Sequence, residues 1–319
     1  MRKKTAAIRL WRRLVAAALA ATAAVAAPVL AESFLFNGGA PDGRLAALSQ
    51  PSASTTLETE TADDFLLPET SVIRQATITG LIPNGTPLSS IRNVEIELYH
   101  VFPKDSANNA PHSVPSRMNS PSDVEIDGAT RDGDAGTLTF EATVLNPNFA
   151  VQKTVVNGIN KAPANVTGGD GPASGQEVQI TVVFNPPIVL PAEHYFFRPE
   201  VEVLGGDFLY LSAPKPIVAP GTPFLPDLQA WIRNSALKPD WLRIGTDIIA
   251  GDTNPTFNMA FTLAGDTIPD AGVPGTAACE GLTVSALAHQ FSGFDRAAQD
   301  LGFSSVASLQ DGVRAFCRQ

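Results

Sequence analysis

Two short segments with the same residue types lie ten residues apart: Trp231-Ile232-Arg233 and Trp241-Leu242-Arg243. In a strand, each Trp and its Arg share one face, and the aliphatic residue points to the other. With the aliphatic residues inward, two rings and two guanidinium groups would form a glycan-binding site, because rings stack on sugars and guanidinium groups bond hydroxyls. With the rings inward, Trp fills the core and Arg covers a ring in a cation–π contact.

Paired carboxylates are the second feature that could do chemistry. Two pairs of glutamates are spaced two positions apart within predicted strands, Glu95 with Glu97 and Glu200 with Glu202. Two acids, or one acid and a tyrosine such as Tyr195 or Tyr210, could serve a glycoside hydrolase or polysaccharide lyase if they meet in a groove. The same spacing arises on the wet face of any half-exposed sheet, so these pairs alone do not establish an active site.

Two acidic segments offer oxygen ligands for a structural Ca²⁺ ion. The candidate ligands are Glu58, Glu60, Asp63 and Asp64 in the first segment, and Asp127, Asp132 and Asp134 in the second. Neither segment has the ligand spacing of a calcium-binding loop, and solvated loops give the same composition. We therefore predict no cofactor, with structural Ca²⁺ as the alternative.

The sequence lacks the common catalytic and nucleotide-binding motifs. It contains no Gly-x-Ser-x-Gly, His-Glu-x-x-His or Gly-x-x-x-x-Gly-Lys segment. The four histidines, at 100, 112, 194 and 289, have no ligand-spaced neighbours, and His194 is predicted to be a hydrogen-bonded core residue. We therefore predict no catalytic residue and no metal ligand.

The N-terminus has the pattern of a cleaved export signal. Basic residues precede an apolar run from Leu14 to Ala27, which is shorter than the ~20 residues that span a bilayer. Cleavage is expected near Ala31, so that residues 1–31 leave a secreted or periplasmic chain with no membrane insertion. Six of the 22 basic residues and none of the 32 acidic residues precede Glu32, which leaves a net charge of −16. Such a charge argues against nucleic acid as a partner.

Both cysteines lie near the C-terminus, at Cys279 and Cys317. In an oxidising compartment, a lone pair of cysteines is most simply a disulfide. Apolar residues between them recur at helical spacing, and Ser304 or Ser305 can cap the last helix. The spacing predicts two or three short helices over 279–319 that are held by the disulfide and joined through a Pro/Gly-rich linker at 266–278.

The region 32–265 reads as short strands rich in Val, Ile, Thr and Phe between Gly, Pro, Asn and Asp clusters. Strict alternation over 94–98 and 178–182 predicts strands that bury one face, whereas 104–131 reads as a long surface loop. Strands without intervening helices favour an antiparallel β-sandwich, jelly-roll-like, with a small disulfide-closed helical C-terminal segment. Further strands are predicted at 62–67, 72–81, 137–145, 194–203, 207–212, 230–233, 241–249 and 257–263.

Four segments between Glu32 and Gly265 resemble an uncharacterised family of exported bacterial β-sandwich proteins. They are Ala62-Asp63-Asp64-Phe65, Asn119-Ser120-Pro121-Ser122-Asp123-Val124, Leu190-Pro191-Ala192-Glu193-His194-Tyr195-Phe196-Phe197 and Asp240-Trp241-Leu242-Arg243-Ile244-Gly245. The opening also resembles extracellular proteins that are sorted by a C-terminal Pro-Glu-Pro anchor, which this sequence does not contain. The resemblance implies export and fold but no activity.

Taken together, the sequence predicts a secreted, non-catalytic binding or surface-associated module. Its expected partner is a polysaccharide or another cell-surface protein, with ligand-binding residues Trp231, Arg233, Trp241 and Arg243. A hydrolase or lyase on a sandwich scaffold is the first alternative. A structural extracellular matrix protein whose helical tail docks a partner is the second.

Overall fold

The computed structural model describes residues 34–52, 57–102, 117–132, 135–159, 166–218, 226–250 and 256–319. The proposed signal peptide, His112, Asp134 and the side chain of Asp132 lie outside this description. Within it, the strands are β1 Phe34–Asn37, β2 Leu45–Leu48, β3 Thr59–Leu66, β4 Ser71–Ile82, β5 Ile91–Val101, β6 Pro121–Asp132, β7 Ala135–Gly136, β8 Leu138–Val151, β9 Lys153–Val155, β10 Ala173–Leu190, β11 His194–Val203, β12 Leu209–Ala213, β13 Trp231–Asn234, β14 Leu242–Arg243, β15 Asn258–Met259 and β16 Phe261–Thr267.

These strands form two sheets. The nine-stranded sheet runs β1–β16–β4–β12–β2–β9, with β10 along the other edge of β4, β8 beyond β10, and β15 beside β12. The seven-stranded sheet runs β14–β13–β3–β11–β5–β6–β7. Strand pairing is antiparallel throughout the named pairs except between β2 and β9.

The apolar sides of the two sheets pack against each other in one continuous core. Val94, Ile96 and Leu98 of β5 point into it, while the intervening glutamates point away, as the alternation predicts. The Phe197 ring of the seven-stranded sheet stacks on the Phe261 ring of the nine-stranded sheet at 4.7 Å. The predicted mainly-β fold is confirmed, and we call this contact layer between the sheets the seam.

Two local predictions were wrong. The predicted loop at 104–131 contains β6. The register between β5 and β6 shifts after Leu98 and again after Tyr99, and such bulges disturb the alternation that marks a strand. The predicted strand at 241–249 ends after two paired residues, and Ile244–Ile249 forms a π-helical turn. The Asp247 carboxylate accepts the Arg243 backbone N–H at 2.9 Å, which turns the chain back on itself.

The C-terminal segment consists of α1 Cys279–Gln290, α2 Phe294–Asp300 and α3 Val306–Cys317. The Cys279–Cys317 disulfide joins the start of α1 to the end of α3, as predicted. The Ser305 side chain caps α3 by accepting the Ser308 N–H at 3.1 Å. The helices bury Leu287, Leu309, Val313 and Phe316 against Val72, Val189 and Ile268, which lie on the outer side of the nine-stranded sheet.

The predicted linker at 266–278 is tied to both neighbours. Asp266 and Thr267 continue β16 and pair with Val72 and Ser71 of β4. The Gly272 N–H donates to the Thr283 hydroxyl of α1 at 3.0 Å. Within the described part of the chain, no helix has the length and apolar character needed to cross a membrane.

Candidate functional site

The two tryptophans of the repeated segments lie on the outer side of the seven-stranded sheet, opposite the seam. Ile232 and Leu242 point into the seam, which is the orientation required for a glycan site. Each indole is nevertheless only 1% exposed, because the rings pack against Tyr99 and neighbouring residues. Neither ring face is available to a sugar in this structure.

The two arginines of these segments differ in surroundings although their sequences match. The Arg233 guanidinium is buried and lies 4.2 Å from the Trp241 ring centre, the cation–π contact expected of a structural role. The Arg243 guanidinium is partly exposed and bonds Asp247 in the following turn at 2.6 and 3.0 Å. The strand register sets Arg243 opposite Trp231. The four residues therefore lie near one another but do not form an open binding surface.

A buried ionic network fills the space beside the rings. Arg233 Nε donates to Glu60 Oε2 at 2.6 Å, and Arg233 Nη2 donates to the Tyr99 hydroxyl at 2.9 Å. Arg198, from the centre of β11, is also buried and pairs with Glu97 and with Glu200, the latter at 2.9 Å. Sequence reasoning missed Arg198, whose only signal is a lone cation within a run of buried strand residues.

The glutamates around Arg198 differ in protonation. Burial opposes the ionisation of Glu97, but the Arg198 guanidinium and the Tyr99 hydroxyl outweigh it and lower the pKa to about 2. Partial desolvation and the charge of Glu97 raise the pKa of Glu125 to about 7, and a hydrogen bond joins the two side chains. Burial raises the pKa of Glu200 to about 8 despite the Arg198 charge. Between about pH 2 and pH 7 the network therefore holds an ionised Glu97 beside protonated Glu125 and Glu200.

One group of acids has the spacing of a metal site. Carboxylate oxygens of Glu58, Glu60 and Glu200 lie within 4.8 Å of one another. The Lys238 ammonium already lies between two of them, 2.7 Å from Glu58 Oε1 and 2.5 Å from Glu60 Oε1. With Arg233 on the remaining Glu60 oxygen, the carboxylates are matched by protein cations, which disfavours an added Ca²⁺ ion.

The other predicted calcium ligands lie apart from this group. Strand alternation directs Asp63 to the opposite side of β3, where it accepts the Met259 N–H at 2.6 Å. Asp64 shares a side with Glu60, but it bonds His194 at 2.6 Å. His194 is thus hydrogen-bonded, as predicted, but its side chain is partly rather than fully buried. Asp127 lies within β6 and accepts the N–H of the next residue, Gly128, at 2.8 Å.

The tyrosines that a lyase would use lie on the wrong side of the sheets for these acids. Tyr195 and Tyr210 are both in the seam, and the Tyr195 hydroxyl donates to the Pro191 carbonyl at 3.0 Å. Glu95, Glu97 and Glu200 are on the outer side of the seven-stranded sheet. Tyr99 is the tyrosine that contacts the acids, and its hydroxyl donates to Glu97.

The opposite surface of the molecule carries a second candidate site, on the outer side of the nine-stranded sheet. One row crosses five strands, each residue directly opposite the next: Asn37, Thr262, Thr77, Thr181 and Glu141. A second row contains Thr79, Gln179 and Thr143. We call these eight residues the polar trough. Thr79 is buried, and the Thr77 and Thr262 hydroxyls bond each other at 2.6 Å. Hydroxyl and amide groups both donate and accept, so the exposed part of the trough can bond ligand groups that donate or accept hydrogen bonds.

Two apolar clusters border the polar trough. On one side the helices cover Val72 and Val189, and on the other Leu81 and Leu211 pack with Ala46 and Val151. The loop at 39–41 forms a wall of a shallow cleft of about 240 Å³ that includes Thr77, Gln179 and Leu145. Leu145 is 49% exposed and Val183 is 45% exposed on the same side of the sheet. The trough is thus a polar strip with exposed apolar residues at its margin.

Sequence reasoning missed the polar trough because its residues come from five distant segments, each with one or two ordinary polar residues.

No protein-family model, curated protein or solved structure matches the chain. The resemblance to exported bacterial sandwich proteins therefore stays a prediction.

Proposed function

We propose that the protein is an exported, non-catalytic binding module that holds a neutral polysaccharide along the polar trough. The observation that carries the proposal is the row of hydroxyl and amide side chains on a rigid sheet. A sugar chain offers hydroxyl groups along its length and apolar C–H faces between them. The trough offers matching hydrogen-bonding groups, and Leu145 and Val183 offer apolar contact at its margin.

The charge of the chain supports a neutral rather than an acidic ligand. Glu141 is the one charged side chain among the eight trough residues, and the segment after residue 31 carries a net charge of −16. The negative charge of the protein would repel an acidic polymer, and this repulsion is strongest at low salt concentration.

The geometry of the acids favours binding over hydrolysis. Glu97 and Glu125 are joined by a hydrogen bond, whereas the two carboxyl groups of glycosidases stand about 5–9.5 Å apart. Arg198 further fixes Glu97 in its ionised form beneath the surface. We therefore place the ligand on the nine-stranded sheet and assign the acids a structural role.

Affinity electrophoresis tests the proposal, with gels that contain β-glucan, xylan, galactomannan or, as an acidic comparison, alginate. The variant Thr77→Val/Thr181→Val removes two hydroxyls and keeps the side-chain shape. We expect at least about tenfold weaker retardation than wild type in a neutral gel, as the loss of two hydrogen bonds predicts. Thr130→Val, an exposed threonine on the seven-stranded sheet, is the matched control and should bind like wild type.

Two results would contradict this assignment. If wild type moves freely through every gel, the chain is not a binder of these polysaccharides. If Trp241→Phe loses retardation while Thr77→Val/Thr181→Val retains it, the ligand binds at the tryptophan pair and the trough is not the site. Melting curves of both variants must show that each is folded at the temperature of the gel.

A further inference from the structure

The strand β8 lies at an edge of the nine-stranded sheet. It pairs with β10 on one side, and no strand among the described residues pairs with its other side. Between Leu138 and Val144 the pairing with β10 is regular, without a bulge. A regular edge of this kind leaves a row of backbone N–H and C=O groups that a further strand can bond.

The inner side of this edge is apolar and only partly covered. Phe140, Ala142 and Val144 contact the seam but are half-buried, whereas most seam residues are fully buried. The segment from Leu138 to Val144 contains no lysine, arginine or proline, the residues that commonly protect sheet edges. Pairing with another strand would therefore cover both free backbone groups and apolar side chains.

The sequence of this edge is self-complementary in one antiparallel register. When two copies meet with Ala142 opposite Ala142, Phe140 of each copy faces Val144 of the other. On the outer side, Glu141 then faces Thr143, so that no like charges are opposed. A register centred on Glu141 would oppose two carboxylates, and one centred on Phe140 would leave Val144 uncovered.

We propose that the protein forms a symmetric homodimer by antiparallel pairing of β8 with β8 of a second copy, centred on Ala142. Such an interface is isologous, because the same residues serve both copies. The two nine-stranded sheets would become one continuous sheet. Thr143 and Glu141, at the end of the polar trough, would then adjoin the same residues of the second trough. The dimer does not depend on the proposed polysaccharide function.

A register-specific cross-link tests the proposal. Residues directly opposite in an antiparallel pair have Cβ atoms about 4.5–5.5 Å apart, close to what a disulfide needs. Ala142→Cys should therefore give a covalent dimer under mild oxidation. Thr139→Cys is the matched control: in this register the two copies of residue 139 lie about 20 Å apart along the strands and should not cross-link. Both native cysteines are already paired, so background coupling is low.

Sedimentation provides the second measurement. Wild type should sediment at twice the chain mass, and Ala142→Lys, which opposes two ammonium groups at the axis, should sediment as a monomer that still unfolds in one cooperative transition. Val183→Lys, one strand in from the edge, should remain dimeric. The proposal is overturned if wild type is a monomer throughout, if Ala142→Cys cross-links no better than Thr139→Cys, or if Ala142→Lys leaves a dimer intact.

Discussion

Replacement of Arg233 by methionine tests whether the tryptophan pair is a structural element. The change keeps an apolar side chain over Trp241, but it removes the 2.6 Å partner of one oxygen of the fully buried Glu60, whose other oxygen keeps Lys238. Loss of one member of a buried ion pair costs about 3–5 kcal/mol. The hydrogen bond to the Tyr99 hydroxyl and the cation–π contact are lost as well. We therefore expect a free energy of unfolding lower by about 3–5 kcal/mol than that of wild type.

The chain contains a matched control for this change. Arg243→Met alters the corresponding residue of the second segment, where the guanidinium is partly exposed and pairs within one turn. Its expected cost is about 1 kcal/mol or less. Urea unfolding followed by tryptophan emission should separate the midpoints of the two variants by about 0.7–1.3 M, for a slope of about 3 kcal/mol per molar.

A double-mutant cycle then identifies the cause. Arg233→Met/Glu60→Gln should be more stable than the sum of the single changes predicts, by about 2 kcal/mol, because each single change already removes the same Arg233–Glu60 contact. Costs for Arg233→Met and Arg243→Met that agree within about 1 kcal/mol would refute the argument from burial. Additive effects of Arg233→Met and Glu60→Gln would refute the ion pair.

Three further outcomes are expected. The pKa of Glu200 is about 8 in the folded chain against an ordinary 4.5, so the folded chain holds an extra proton between these values. Its free energy of unfolding should therefore fall as pH rises from 4.5 through 8, with the loss complete above 8, and Glu200→Gln should flatten that loss in urea melts. Phe261→Ala, which removes the ring stacked on Phe197, should cost about 3–5 kcal/mol by the same assay, and a cost below 1 kcal/mol would contradict the seam. Millimolar Ca²⁺ should move the melting temperature by less than about 1 °C because Lys238 already pairs with the candidate ligands, and a rise of several degrees that EDTA reverses would disprove this.

Much of the fold could be predicted because its signals are local. The alternation of Val94, Ile96 and Leu98 with glutamates fixes which side of β5 is buried, whatever the neighbouring strands are. The lone cysteine pair and helical spacing likewise predicted the disulfide-closed tail. Prediction failed at β6, where bulges interrupt the alternation of apolar and polar residues. It also failed at Ile244–Ile249, where the chain forms a π-helical turn bonded by the Asp247 side chain.

The candidate sites were less accessible to sequence reasoning. The repeated Trp-x-Arg segments suggested equivalent roles, but burial depends on what packs over each ring and guanidinium group. Arg233 meets Glu60 and Tyr99 from remote strands, whereas Arg243 meets Asp247 in its own turn. No local sequence pattern distinguishes the buried environment of Arg233 from the partly exposed environment of Arg243.

The sequence by itself determined the mainly-β class, the buried side of the regularly alternating strands and the closure of the tail, because these follow from neighbours within a few residues. Only the tertiary structure decided which strands lie side by side. That order places Arg198 of β11 beside Glu97 of β5, and aligns Thr77 with Thr181 across separate strands. The physical reason is that strand pairing joins residues more than a hundred positions apart, and side-chain chemistry acts over a few ångströms of space rather than along the chain.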